Sequence, residues 1–311
     1  MIVWLSRCAD QSRALLIAGL CLGIGVPALA SALGAWLPQM VAILLIITTF
    51  RIGARDAFGA LRDLRWSLPA VLVLQIGLPL LLASIMWLLG ALQTPLALAL
   101  VLAASAPTIS GGASLAIIMG QNPARIMQIL VLGTAAFPLT VLVVLQCVPL
   151  LGDTTGLVEV GVRSLATIVG SAAIGFALRR TLLPNPSTAQ IKAIDGAAIL
   201  FFAIIVIGLM TALGPTLRSA PMTALLWAIA AFGLCFGAQA LAVLILAQGP
   251  LARVAGPLAL AAGNRNIALF LVALPPDVMA PIMVFVACWQ LPMYLTPMFL
   301  KGLYSRTLSY D

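Results

Sequence analysis

The chain contains no histidine, and only eight of its 311 residues are acidic. Without histidine the commonest metal ligand and the usual proton-transfer group are gone. Charged residues make up 8% of the sequence against 63% hydrophobic residues. A soluble domain cannot hide that much apolar surface, because too large a share of its surface stays exposed after folding. What remains is an all-α polytopic membrane protein. The five cysteines (Cys8, Cys21, Cys147, Cys235, Cys288) are odd in number and scattered, mostly in apolar runs. They read as small core residues rather than a disulfide framework. No cofactor and no protein partner are expected.

The few acids are placed as informatively as they are scarce. Asp10, Asp56, Asp63, Asp153, Glu159, Asp195, Asp277 and Asp311 all fall in loops or at the ends of apolar runs. No carboxylate is expected at mid-membrane, and no serine has a base near it. Hydrolysis or group transfer inside a membrane needs such groups, so an enzyme is not expected. The net charge of +8 would suit nucleic acid. The basic residues, however, sit in short loops between apolar runs, which is how membrane topology is encoded, so no nucleic-acid partner is expected.

Ten apolar runs of spanning length fall at about 13–32, 36–51, 67–90, 94–119, 124–150, 159–181, 191–213, 219–247, 251–274 and 278–300. Arg7, Arg13 and the run ending at Ala28-Leu-Ala30 have the layout of a signal peptide. The count of ten favours a first transmembrane helix instead. With the N-terminus inside, thirteen of the sixteen Lys and Arg fall in inside segments; Arg163, Arg218 and Arg265 do not. Both termini are therefore expected in the cytoplasm. The basic stretch from Arg51 to Arg65 could meet lipid headgroups, but it is read first as an interfacial connection that sets topology.

Ten spans divide into two halves of five, at 1–152 and 153–311. An odd number per half forces the halves into opposite orientations, as in inverted-repeat transporters. The fourth span of each half should then correspond, and both are interrupted. The first carries Ala106-Pro-Thr-Ile-Ser-Gly-Gly-Ala-Ser114, with helix breaks expected at Pro107, Gly111 and Gly112. The second carries Gly263-Asn-Arg-Asn266, with a break expected at Gly263. Arg265 lies near the centre of that apolar run. A charge there costs from roughly 3 to more than 10 kcal/mol unless it is solvated by partners, so it marks a functional site. Arg265, Asn264, Asn266, Ser110, Ser114 and Thr108 are the candidate substrate contacts; the alternative for Arg265 is that it caps the carbonyls of the broken helices and only stabilises the crossing. Gln75 and Thr134 are candidates for an ion site, and no other metal site is indicated.

Those residues resemble the bile acid:sodium symporter family along essentially the whole chain. That family shows Pro-Gly-Gly-Thr-Ala-Ser-Asn in span four, then Gly-Asn, then a proline in span five. Pro107, Asn122 and Pro138 fit that spacing without a gap. A glutamine a few residues before a proline in span three is matched by Gln75 and Pro79. The span-nine motif Glu-x-Gly-x-Gln-Asn aligns with Ala261-Ala262-Gly263-Asn264-Arg265-Asn266, where Gly263 and Asn266 match. The resemblance implies ten spans, broken helices four and nine, and carriage of an organic anion with sodium. The sodium ligands themselves are replaced. The family's glutamate and glutamine become Ala261 and Arg265, its Ser-Asn pair becomes Gly112-Ala113, and its span-five hydroxyls become Ile126 and Leu130. Only Gln75 is left.

The expected function is therefore a secondary transporter in a bacterial inner (plasma) membrane, carrying an organic anion by alternating access. Arg265 would stand as a built-in cation in place of sodium, and a guanidinium suits a carboxylate or sulfonate. The alternative keeps sodium through backbone carbonyls, Gln75 and the asparagine side chains. An anion channel with an arginine constriction is a third class.

Overall fold

The computed structural model describes residues 1–61, 63–146 and 154–307. Arg62, Cys147, Asp153, Asp311 and the end of the fifth apolar run lie outside them. Among the described residues every regular element is helical. In order they are α1 Ile2–Asp10, α2 Ser12–Gly25, α3 Pro27–Gly34, α4 Leu37–Ile52, α5 Ala54–Ala60, α6 Leu64–Leu72, α7 Leu78–Leu88, α8 Pro95–Ser105, α9 Gly112–Ile118 and α10 Pro123–Leu145. There follow α11 Thr154–Leu182, α12 Thr188–Ser219, α13 Pro221–Leu246, α14 Ala252–Gly263, α15 Phe270–Ala273, α16 Pro276–Met279, α17 Met283–Phe299 and α18 Lys301–Thr307. A π-turn, Val73–Gly77, joins α6 to α7.

Six helices among the described residues are long and apolar enough to cross a membrane, or eight if each of two bent pairs counts as one span. Hydropathy of this kind over this many helices makes the chain a polytopic integral membrane protein. The first apolar run, expected as one span over 13–32, is not straight. The chain bends by 104° between Gly25 and Pro27, because a proline cannot donate into the helix that precedes it. The run 36–51 is a single helix, but it turns by 86° into α5 at Gly53, whose φ of 77° a residue with a side chain rarely adopts. The interrupted runs 94–119 and 251–274 each appear as two helical pieces with an extended break between them.

The chain contacts separate two compact units, and each is built from two separate segments of the sequence. One comprises Met1–Phe58 with Leu165–Ala224. Its axis is α12, which begins in a capping box: the Gln190 backbone N–H donates to Ser187 Oγ while the Ser187 N–H donates to Gln190 Oε1. Helices α1 to α4 pack along α12, and Thr211 Oγ1 donates to the Ala30 carbonyl at 2.9 Å. Arg51 grips Asp195 with two nitrogens, and Lys192 pairs with Asp10. Helix α11 closes on α4 through Thr49 Oγ1 to Ser171 O and Ser171 Oγ to Ala42 O.

The other unit comprises Gly59–Ser164 with Leu225–Asp311. At its centre α8 is buried from Ala97 to Ser105 save one partly exposed leucine, Leu100. A helix apolar all round suits either a protein interior or lipid, and its burial puts this one inside the unit. Helix α10 starts at Asn122, whose Oδ1 accepts from the Ala124 and Arg125 N–H groups ahead of Pro123 at the first turn.

Two glycines on α11 test the close approach to α4. A Cβ at position 175 would overlap Thr49 Oγ1 and lie within 3 Å of the Ile46 carbonyl, whereas one at 170 meets nothing within 4 Å. Gly175→Ala should lower stability by about 1–3 kcal/mol through overpacking. Gly170→Ala should be neutral or stabilise by up to about 1 kcal/mol through helix propensity. Melting temperatures of the two purified variants check this; equal values would contradict the packing described.

Candidate functional site

The two interrupted runs meet. Thr108 and Arg265 face each other in an isolated antiparallel bridge, closed by Ile109 N–H to Asn264 O at 3.0 Å and Asn266 N–H to Pro107 O at 2.7 Å. Chain breaks inside a hydrophobic medium must satisfy their freed backbone groups internally, and here each break satisfies the other. Because the bonds flank the pair rather than join it, Thr108 and Arg265 occupy the close-set position of an antiparallel ladder, with their side chains on one face.

Arg265 is 1% exposed. Its Nε donates to Ala262 O, Nη1 to Ala106 O and Nη2 to Leu74 O, each at 3.0 Å. All three acceptors are carbonyls that a regular helix would have used. The Asn266 N–H, which would return to Ala262, goes to Pro107 instead. Ala106 closes α8 in an extended conformation (ψ 148°), so no further turn caps it. Leu74 lies in the π-turn: the Leu78 N–H goes to Val73, and the residue five on from Leu74 is Pro79, which has no N–H. The guanidinium thus sits at the C-terminal, partially negative ends of α8 and α14, where a cation is stabilised. Backbone carbonyls of the broken helices were one of the partners expected for a charge with no carboxylate near it. The three carbonyl acceptors are C-terminal or π-turn groups, because a positive group seeks acceptors. Among the described residues Arg265 pairs with no carboxylate.

The proline and glycines expected to break the helices act differently from one another. Pro107 is in the extended break and contributes its carbonyl to the bridge. Gly111, Gly112 and Gly263 have ordinary negative φ, so conformational freedom is not their contribution. Gly112 opens α9 and Gly263 ends α14. A Cβ on Gly112 would lie 2.7 Å from Ile126 Cγ2, and one on Gly263 would overlap the Cys235 carbonyl. They make room for neighbouring helices.

The remaining candidates divide by exposure. Asn264 is buried: Nδ2 donates to Leu260 O at 3.0 Å, and Oδ1 accepts from Thr296 Oγ1 at 3.3 Å. Thr108 is also buried, and its Oγ1 is the one buried side-chain polar atom without a partner among the described residues. Ser110 and Asn266 are half-buried and Ser114 is exposed. Gln75 is 2% exposed and spans two groups of α10, donating to Gly133 O at 3.0 Å and accepting from Thr140 Oγ1 at 2.8 Å. Thr134 is half-buried, and Thr140, six residues on, is the hydroxyl that meets Gln75.

Several participants were not singled out by sequence. Trp289 is fully buried and donates Nε1 to the Arg265 carbonyl at 3.0 Å. A polar chain runs from Asn264 through Thr296 and Gln239 to Tyr304, whose Oη donates to Gln239 Oε1 at 3.0 Å. The signal was available in part: glutamines within apolar runs need partners.

Compared with known proteins, the chain matches no family model and no curated sequence.

Three substitutions separate the roles. Arg265→Met orphans three carbonyls, each worth about 1–3 kcal/mol when buried and unpaired, and should destabilise the protein by several kcal/mol. Thr140→Val removes a made hydrogen bond and should cost about 1–2 kcal/mol. Thr108→Val replaces a hydroxyl that has no partner and should cost nothing. Thermal unfolding in one detergent ranks them; a Thr108→Val loss as large as that of Thr140→Val would show that the hydroxyl is engaged.

Proposed function

We propose that the chain is a secondary transporter of the bile acid:sodium symporter type, with ten spans in two inverted halves, that carries an organic anion by alternating access. Arg265 serves in it as a tethered cation where that family binds sodium. The observation that carries this reading is the guanidinium at the crossing. It holds three carbonyl oxygens freed by two opposed helix breaks and a π-turn, with no carboxylate paired to it among the described residues. Paired discontinuous spans are where such carriers place their substrate. The resemblance in Gln75, Pro107, Asn122, Pro138, Gly263 and Asn266 supports the same reading.

The exposure pattern supports a division of parts. Ser110, Ser114 and Asn266 are accessible at the crossing and are the direct polar contacts for a substrate. Arg265, Asn264 and Thr108 are buried and hold the break in shape. The arginine acts on an anion mainly through its field, which is strong in a low-dielectric interior. Two of its five N–H groups are outside the three carbonyl bonds and could receive the anion once the crossing opens.

Sodium coupling through a rearranged site is the weaker reading. The carbonyls it would use are bonded to Arg265, and both ends of the Gln75 amide are bonded to α10. A cation close to the guanidinium would also be repelled by it. Without a coupling ion the protein works as a facilitator or an exchanger.

Proteoliposome uptake of a panel of labelled carboxylates and sulfonates tests this. The expected result is saturable uptake of at least one anion at equal rates in sodium and potassium media, abolished in Arg265→Gln. Uptake that requires sodium would overturn the tethered-cation reading. Unitary ion currents without saturable uptake would favour a channel.

A further inference from the structure

The unit built on α12 carries a surface feature that the transport reading leaves unused. At Gly53 the chain turns sharply from α4 into α5. On α5, Ala57 and Ala60 are buried while Arg55 and Phe58 face outward, Phe58 being 65% exposed. The Phe58 ring lies 6.5 Å from that of Phe176 on α11. Phe176 and Arg180 are four residues apart on that helix, and Arg55 and Phe58 three apart on α5, so each arginine shares a helix face with its phenylalanine. The result is a patch of two adjacent aromatic rings with an arginine beside each.

The neighbouring charges are already committed. Arg179 donates to the Phe50 and Arg51 carbonyls and so caps the end of α4. Arg51 pairs with Asp195, and Lys192 with Asp10. Arg55 and Arg180 have no acidic partner among the described residues, and both are exposed. Asp56 follows Arg55 and is exposed as well, but two arginines against one carboxylate leave the patch positive. With α4 taken as crossing the bilayer, a turn of 86° off it lays α5 along the surface rather than through it. An exposed phenylalanine with one free guanidinium on its own helix and another beside the adjoining ring is then placed at the level where acyl chains meet headgroups.

We infer that Arg55, Phe58, Phe176 and Arg180 form a binding site for an anionic phospholipid. The two guanidiniums take the headgroup phosphate, for which the arginine fork is suited, and the two rings lie along the acyl chain. Charge complementarity and the apolar floor together select a lipid rather than a soluble anion. The site is independent of what the crossing transports.

Native mass spectrometry of the purified protein, equilibrated with an equal mixture of phosphatidylglycerol and phosphatidylcholine, reads the preference directly. An arginine near an anionic membrane surface contributes about fivefold in affinity, so Arg55→Gln with Arg180→Gln should weaken retention of phosphatidylglycerol roughly twenty- to thirtyfold. Phosphatidylcholine retention should not change. Arg218→Gln, on another part of the chain, should keep the preference. Arg55→Lys with Arg180→Lys should keep a positive patch and most of the preference, which guards against loss of fold in the glutamine pair. Unchanged phosphatidylglycerol retention in the glutamine pair, or an equal loss in Arg218→Gln, would overturn the assignment. So would displacement of the lipid by free inorganic phosphate, since that would make the site one for a soluble anion.

Discussion

One buried guanidinium holds the crossing together. A helix that stops inside a membrane leaves carbonyls with no water to receive them, and each orphan is expensive. Two such helices stop at the same place here, and a π-turn in a third adds a further free carbonyl. Arg265 answers all three with one planar group whose nitrogens point in different directions. Lysine, a point charge on a flexible stem, could not span them in the same way. The charge itself is stabilised by the arrangement, because the ends it meets carry the negative partial charges of α8 and α14. The cost of burying the arginine and the cost of breaking the helices thus offset each other.

This constraint organises the neighbouring residues. The Thr108–Arg265 bridge exists because both breaks need backbone partners. Trp289 fixes the carbonyl of Arg265 from α17, and Gln75 fixes the π-turn against α10 from the other side of Leu74. Gly112 and Gly263 let helices approach where a side chain would intrude. Outside this shell the polar chain from Asn264 to Tyr304 extends the ordered hydrogen bonding to the terminal helix α18. A tethered cation in such a frame cannot leave and cannot carry a gradient's energy, which is why the proposed transport is uncoupled from sodium.

Much of this was legible in the sequence, and the reasons are physical. Membrane character followed from hydropathy, and the two breaks from proline, glycine and a stranded arginine within apolar runs. That the breaks belong together followed from their corresponding positions in the two halves. Other features were not legible because they depend on partners distant in sequence. Arg265 could be read either as a substrate ligand or as a cap on the carbonyls of the broken helices, and sequence could not say which carbonyls those are, since Leu74 comes from a third segment. The π-turn at Val73–Gly77 needed both the position of Pro79 and the packing against α10. Gly111, Gly112 and Gly263 read as flexible breakers, yet all three keep ordinary backbone angles, and Gly112 and Gly263 serve close packing. The Thr140 hydroxyl that donates to Gln75 was not singled out, because which face of α10 turns inward is set by packing. The 104° bend after Gly25 was signalled by Pro27, but an apolar run of spanning length concealed it.

The most direct test of the central claim removes the side chain and returns its charged group as a free ion. In Arg265→Ala the three carbonyls are left open to a soluble cation. Melting curves of the variant, taken with millimolar guanidinium, sodium or potassium at constant ionic strength, would show whether those carbonyls require a planar cation. The account predicts that guanidinium, far below denaturing concentration, raises the melting temperature of the variant and not of the parent protein, while sodium and potassium do little. A variant as stable as its parent without any added ion, or one restored equally by sodium, would contradict it.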